Sequence, residues 1–324
     1  MNHDAPIAVI AFGGNALLRP EDRGTQEEQI GRARQAARWL AEIVRHGYRL
    51  VIVHGNGPQV GNILIQAEEA STKIPPQSLD VAVAQTEGSM GFMLQQAMRN
   101  RLESVGLPSS VATILSEVEV DPADPAFKRP TKPIGPFFTR YRAEALARDF
   151  GWTVREDSGR GWRKVVPSPR PMRILDVESI SKVLESAEVV IAAGGGGIPV
   201  VRGRDGQWRG VEAVIDKDYA SALLASELDA SLFIVLTGVD RVSLDFGKPT
   251  ERKVDVMTVE EAEMHLAAGQ FPAGSMGPKI EASVDFVRRS GRDVLITDVE
   301  NLREALDGSA GTRIVASSAQ LPPR

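Results

Sequence analysis

The chain has 324 residues, 42% of them hydrophobic and 25% charged, enough to bury a sizeable core in one large α/β domain or two smaller ones. Its 38 Lys and Arg against 43 Asp and Glu leave a formal net charge of −5, which argues against a non-specific nucleic-acid binder. With no cysteine, disulfides, thiol catalysis, zinc-thiolate sites and iron–sulfur clusters are excluded, and the four histidines lie far apart. No apolar run approaches the ~18 residues that a bilayer span needs. The first residues are too acidic and polar for a signal peptide, so a cytoplasmic protein is expected.

The elements follow one recurring pattern, in which a short apolar run ends in a glycine cluster. Ile7–Phe12 runs into Gly13-Gly14-Asn15. A capping box at Thr25–Glu28 then opens a helix with Ile30, Ala33, Ala37, Leu40 and Val44 on one face, and Gly47 stands where it should stop. Leu50–Val53 runs into His54-Gly55-Asn56-Gly57-Pro58, and a helical pattern over 80–104 puts Met90, Met93 and Met98 in a core. Val189–Ala193 runs into Gly194–Gly197, and Leu232–Leu236 into Thr237-Gly238-Val239-Asp240. A second capping box, Thr258–Glu261, predicts a helix ending near Gly269, and Pro278 and Gly291 bracket a helix over 278–290. Strands buried on both faces and alternating with helices imply right-handed βαβ units in an open αβα sandwich.

Residues 121–171 break this pattern. They hold eight of the 20 prolines and the turn Asp157-Ser-Gly-Arg-Gly-Trp162. The stretch reads as an inserted subdomain or lid, with a small antiparallel hairpin around Trp152–Val154 and Arg163–Val166. It divides the chain into an N-terminal part, 1–175, and a C-terminal part, 176–324.

Ligands of open parallel sheets bind beyond the carboxyl ends of the strands, where the glycine clusters lie. Glycines there let backbone N–H groups approach an anion, and a following helix adds its positive end. Each loop read alone is equally a tight strand–helix turn. Two such loops, each with an Asn able to donate, plus Gly194–Gly197, point to phosphate. The P-loop is missing, Gly55, Gly57 and Gly61 are one residue too widely spaced for the dinucleotide fingerprint, and there is no nucleophile elbow.

The chain has 29 Arg and only nine Lys, so lysines at glycine-rich or charged junctions stand out as compact point charges. Lys217 lies within Asp216-Lys217-Asp218. Lys279 opens a helix, where a cation opposes the helix dipole unless an anion sits between them. Lys132 lies among the prolines of the insert. Asp216 reads equally as a helix cap or a functional group, and Asp218 as the organiser of two lysines. His54, at a strand end, reads as packed and hydrogen-bonded and not as a base.

Taken together, Ala11–Leu17, His54–Gly61, Asp121–Phe127, Pro130–Phe137, Gly159–Pro169, Gly194–Val200, Glu212–Asp218 and Gly274–Lys279 resemble the carbamate kinases of the amino-acid kinase superfamily, in order from about residue 7 to 316. The resemblance implies a three-layer αβα sandwich around a mainly parallel sheet of about eight strands, with a small protruding subdomain, in a homodimer. It implies the reversible reaction of ATP and carbamate to ADP and carbamoyl phosphate with Mg2+, serving ATP synthesis in amino-acid catabolism such as that of arginine. Its partners would be these small molecules, with neither nucleic acid nor membrane. Residues 1–175 would bind carbamate or carbamoyl phosphate, with 121–171 as a lid, and 176–324 the nucleotide.

Carried over position by position, Gly13, Gly14, Asn15, Gly55, Asn56 and Gly57 would cradle the transferred phosphoryl group. Lys217 and Lys279 would neutralise its charge, Asp218 would hold both ammonium groups, and Lys132 would reach the carbamoyl end. Gly195, Gly196, Thr237, Gly238, Val239, Asp240 and Met276 would line the nucleotide site, and the metal would be held mainly by the nucleotide phosphates. Phe12 departs from the leucine usual in the family. A related kinase of another small carboxylate, or a non-catalytic sensor on the same fold, is the alternative; the intact Lys217, Asp218 and Lys279 argue against the sensor.

Overall fold

The computed structural model describes residues 5–13, 22, 24–157, 159–272 and 274–317. The chain runs from β1 (Ile7–Phe12) through α1 (Gln26–Arg45) to β2 (Arg49–His54), α2 (Gly57–Ala70) and α3 (Leu79–Ser104). The short strands β3 (Val111–Thr113) and β4 (Glu117–Val120) lead into the proline-rich stretch. That stretch forms β5 (Lys132–Phe138), α4 (Arg140–Phe150), β6 (Val154–Glu156) and β7 (Trp162–Val166), and β8 (Pro171–Ile174) leaves it. Next come α5 (Val177–Leu184), β9 (Val189–Ile191), β10 (Ile198–Arg202), β11 (Trp208–Gly210), α6 (Lys217–Glu227) and β12 (Leu232–Leu236). The chain continues through β13 (Val242–Leu244), β14 (Arg252–Val254), β15 (Val256–Thr258), α7 (Val259–Ala267) and α8 (Met276–Ser290). It closes with β16 (Val294–Thr297), α9 (Leu302–Leu306) and β17 (Thr312–Val315).

The local signals act as expected. Thr25 and Glu28 exchange both hydrogen bonds of a capping box, as do Thr258 and Glu261. Gly291, at φ 69°, ends α8, which starts two residues earlier than predicted, at Met276. One strand is shorter than its apolar run. β9 stops at Ile191 because Ala193 turns left-handed, at φ 49°, to begin the glycine turn.

Eight strands form the main sheet in the order β15-β17-β16-β12-β1-β2-β9-β3. All neighbours are parallel except β16 and β17. Alternation along β1 sends Val9 and Ala11 to one core and Ala8, Ile10 and Phe12 to the other. The first core is closed by α5, α6, α7 and α8, the second by α1, α3 and α9. This is the three-layer sandwich. Burying each large aliphatic side chain contributes ~1.5–3 kcal/mol, which is why apolar runs without polar alternation form these inner strands.

A second, four-stranded sheet in the order β11-β10-β4-β8 crosses the base of the insert. The insert itself carries the sheet β5-β7-β6, and its hairpin pairs Val154 with Lys164. It seats on α2. Ile134 and Val166 join Val60 and Leu64 in a third apolar cluster, and the Trp152 indole donates to Glu68. At this seat Gly61 and Gly135 bring two backbones together. A Cβ on Gly61 would lie 2.0 Å from the Gly135 Cα, so no other residue fits without movement.

Candidate active site

The loops after β1, β2, β9 and β12 open into one cleft of about 840 Å³. Gly13, Gly55, Asn56, Gly57 and Gly195 line one part of it, with Lys132 and Arg163 of the insert above and Asp216, Lys217, Asp218 and Lys279 beside them. Thr237, Gly238, Val239 and Met276 line the other part, together with Phe246, Gln270 and Phe271. Gly14 and Asn15 lie outside the described residues. Gly196 and Asp240 do not line the cleft. Gly196 packs on Ile215, and the Asp240 carboxylate is paired with Lys253 and Arg241.

The charged centre is built from two helix N-termini. Asp216 caps α6, accepting the Asp218 N–H at 3.0 Å, so Lys217 and Asp218 fall in its first turn. Pro278 and Lys279 lie in the first turns of α8, which packs against α6. Asp218 then bonds to Lys217 Nζ through Oδ1 at 2.5 Å and to Lys279 Nζ through Oδ2 at 2.9 Å. Burial alone would raise its pKa, but the two ammonium groups outweigh this and hold it well below the usual carboxylate range. Lys217 is pulled below the ordinary lysine value by burial, with Asp218 opposing and Lys279 adding to the depression. Lys279 is also pulled down by burial, but Asp218 carries it above that value.

Lys132 bonds to Asp216 Oδ2 at 2.5 Å, so Asp216 is both cap and ion-pair partner and ties the insert to α6. Three ammonium groups therefore face two carboxylates at one end of the cleft, an excess of positive charge suited to phosphate. Neither α2 nor α8 has a side-chain hydrogen bond at its N-cap, which leaves first-turn N–H groups for an anion.

His54 is fully buried, and burial holds its imidazole down at about 4. A Cβ on Gly194 would lie 2.3 Å from its Nε2, so the ring is packed beneath the glycine turn and does not face the cleft as a base. Met90 and Met98 are buried in the core, as the pattern of α3 predicts.

Sequence reasoning missed Arg163, the Lys132–Asp216 pair, and two buried polar residues beneath the cleft, Thr86 and Glu87. The last two left a signal. They interrupt the buried stripe Leu79, Ala82, Val83, Met90 of α3, where a carboxylate is out of place without a partner.

The model of the amino acid kinase family matches residues 6–298. The chain belongs to that family. Within it, the chain is 47% identical over 309 residues to the carbamate kinase of Pyrococcus furiosus, covering 95% of this chain and 98% of that one. Two solved structures of carbamate kinase from Giardia lamblia superpose along nearly its whole length. The one bound to citric acid has a TM-score of 0.92 at 38% identity, covering 97% of this chain and 100% of that one. The one bound to AMP-PNP has a TM-score of 0.89 at 39% identity, with the same coverage.

Proposed function

We infer that this protein is a carbamate kinase, transferring a phosphoryl group reversibly between ATP and carbamate. The observation that carries the reading is the Asp218 carboxylate clamped between Lys217 and Lys279 at the mouth of the glycine loops, in a chain that matches carbamate kinases over 95% of its length. The intact cationic centre favours an enzyme over a sensor.

Phosphoryl transfer needs positioning and charge neutralisation more than covalent chemistry. In the direction of ATP synthesis, a β-phosphate oxygen of ADP attacks phosphorus, and the bond from phosphorus to the carbamate oxygen breaks. Carbamate leaves as an oxyanion, and in reverse it attacks as one, so no proton must move and no general base is needed. Gly13, Gly55, Asn56 and Gly57 cradle the moving group through N–H donors. Lys217 and Lys279 neutralise charge that spreads over its oxygens, and Asp218 keeps both ammonium groups in place. Lys132 serves the carbamoyl end from the lid. The nucleotide lies along Gly195, Thr237–Val239 and Met276 within the C-terminal part, and the N-terminal part holds the smaller substrate.

Magnesium would neutralise the nucleotide's phosphate oxygens. Both Asp218 oxygens are already engaged by ammonium groups. The ion would therefore be carried by the phosphates.

A cytoplasmic place and a role in amino-acid catabolism belong to the same reading, as does the homodimer. An exposed face of α3 bearing Val81 and Phe92 would suit a second chain. The test of the activity is ATP formation from ADP and carbamoyl phosphate, with acetyl phosphate as comparison. A rate with carbamoyl phosphate no higher than with acetyl phosphate would refute the substrate assignment.

A further inference from the structure

Beneath the cleft, α3 presents two adjacent buried polar residues, Thr86 and Glu87, to the two loops that flank the expected phosphoryl group. The Asn56 amide donates from Nδ2 to Thr86 Oγ1 at 2.8 Å, and Thr86 Oγ1 donates to the Val83 carbonyl at 2.7 Å. A hydroxyl has one hydrogen. With that hydrogen committed to Val83, Thr86 can only accept, so the side of the Asn56 amide that faces it must be the NH2 group. Turning the amide over would set two oxygens against each other in a buried site.

The neighbouring residue steadies the opposite loop. Glu87 accepts the Ser116 N–H at 2.9 Å, while Ser116 Oγ accepts the Ala193 N–H at 2.9 Å. This turn carries Gly195 against the Asn56 side chain, where a Cβ would lie 2.2 Å from Nδ2. Asn56 is thus wedged between Gly195 and α3. Its side chain does not cap α2, although its backbone occupies the N-cap.

We propose that Thr86 is a positioning residue for phosphoryl transfer: by accepting an Nδ2 hydrogen, its hydroxyl holds the Asn56 side chain in a single orientation beside the expected phosphoryl site. The proposal rests on the reading of Asn56 as part of the phosphoryl cradle. An amide free to turn would have to be ordered as the transition state forms, so the loss should fall on kcat.

The experiment is a double-mutant cycle in the full-length enzyme, with ADP and carbamoyl phosphate as substrates. Thr86→Val should lower kcat about tenfold with KM for ADP within about twofold, and Thr86→Ser, which keeps the hydroxyl, should restore most of it. In an Asn56→Ala background, Thr86→Val should change kcat by less than about twofold, because the group it orients is gone. If the valine variant does not fold, Thr86→Ala takes its place in the cycle. An Asn56→Ala enzyme with normal kcat would overturn the cradle reading and the proposal with it. An impaired Asn56→Ala enzyme beside a normal Thr86→Val enzyme would overturn the proposal alone, as would an undiminished effect of Thr86→Val in the Asn56→Ala background.

Discussion

Asp218 divides its two oxygens between Lys217 and Lys279, and this division separates their roles in activity from their roles in stability. Removing one lysine leaves the buried carboxylate a partner. Lys217→Ala and Lys279→Ala should therefore each lower kcat by about 10²-fold or more, a few kcal/mol of lost charge stabilisation, with little change in thermal melting. Removing both leaves a buried charge without compensation, and the double variant should lose about 3–5 kcal/mol in chemical denaturation. His54 gives a second prediction at this scale. Its folded pKa, held down at about 4 by burial, lies below the unfolded value of 6.5. The unfolded chain thus binds the extra proton first. The contribution is complete above pH 6.5 and is lost as the pH falls toward 4, on the order of 3 kcal/mol. His54→Gln should remove this component from a plot of unfolding free energy against pH while keeping most activity; a large kcat loss rescued by imidazole would contradict the packed, non-catalytic role.

At the scale of the element, the insert meets the rest of the molecule through two different devices. One is polar, the Lys132–Asp216 bond to the cap of α6; the other is steric, the approach of Gly61 on α2 to Gly135 in β5. Lys132→Ala should raise KM for carbamoyl phosphate and lower kcat/KM, with KM for ADP within about twofold; a tenfold loss corresponds to about 1.4 kcal/mol. Loss of ADP affinity instead, measured by the same kinetics, would place the lid over the other half of the cleft. Gly61→Ala tests the steric device. Its new methyl must displace backbone, not a pliable side chain, so the insert should lift from α2. At least a tenfold loss in kcat/KM for carbamoyl phosphate is expected, with binding of a nucleotide such as AMP-PNP, followed by calorimetry, little changed.

At the scale of the molecule, the sandwich and the insert are separable in the path of the chain. β4 and β8 are antiparallel neighbours with Val120 facing Pro171, so the insert leaves and returns at one place. Replacing 121–170 by a short Gly-Ser linker should leave a folded, nucleotide-binding sandwich with almost no kinase activity. Circular dichroism and AMP-PNP calorimetry check the first half, and the carbamoyl phosphate assay the second. The excision uncovers Val60 and Leu64, so some loss of solubility is expected as well.

Much of this architecture was legible because its signals act over a few residues. Capping boxes, C-terminal glycines and unbroken apolar runs report on backbone conformation and burial within one element, and they located β1, β2, β9 and β12 of the main sheet, the helices α1, α3, α7 and α8, and the glycine loops at the strands' carboxyl ends. The scarcity of lysine marked Lys132, Lys217 and Lys279, since a cation at a helix N-terminus is unfavourable without an anion nearby. Pairings between distant segments were not legible in the same way. Nothing near β17 says that it runs against β16, and nothing near β4 says that it builds a second sheet with β8 and β10. The side-chain geometry of the site was hidden for the same reason. Asp216 could be read as a cap from its neighbours, but its bond to Lys132 exists only because the start of β5 is brought to the N-terminus of α6. Thr86 and Glu87 lie on a helix whose pattern called for apolar residues, and their partners, Asn56 and Ser116, come from two separate loops. Local chemistry determines which conformations a segment can hold; which polar groups then meet in the buried interior is decided by how the layers pack.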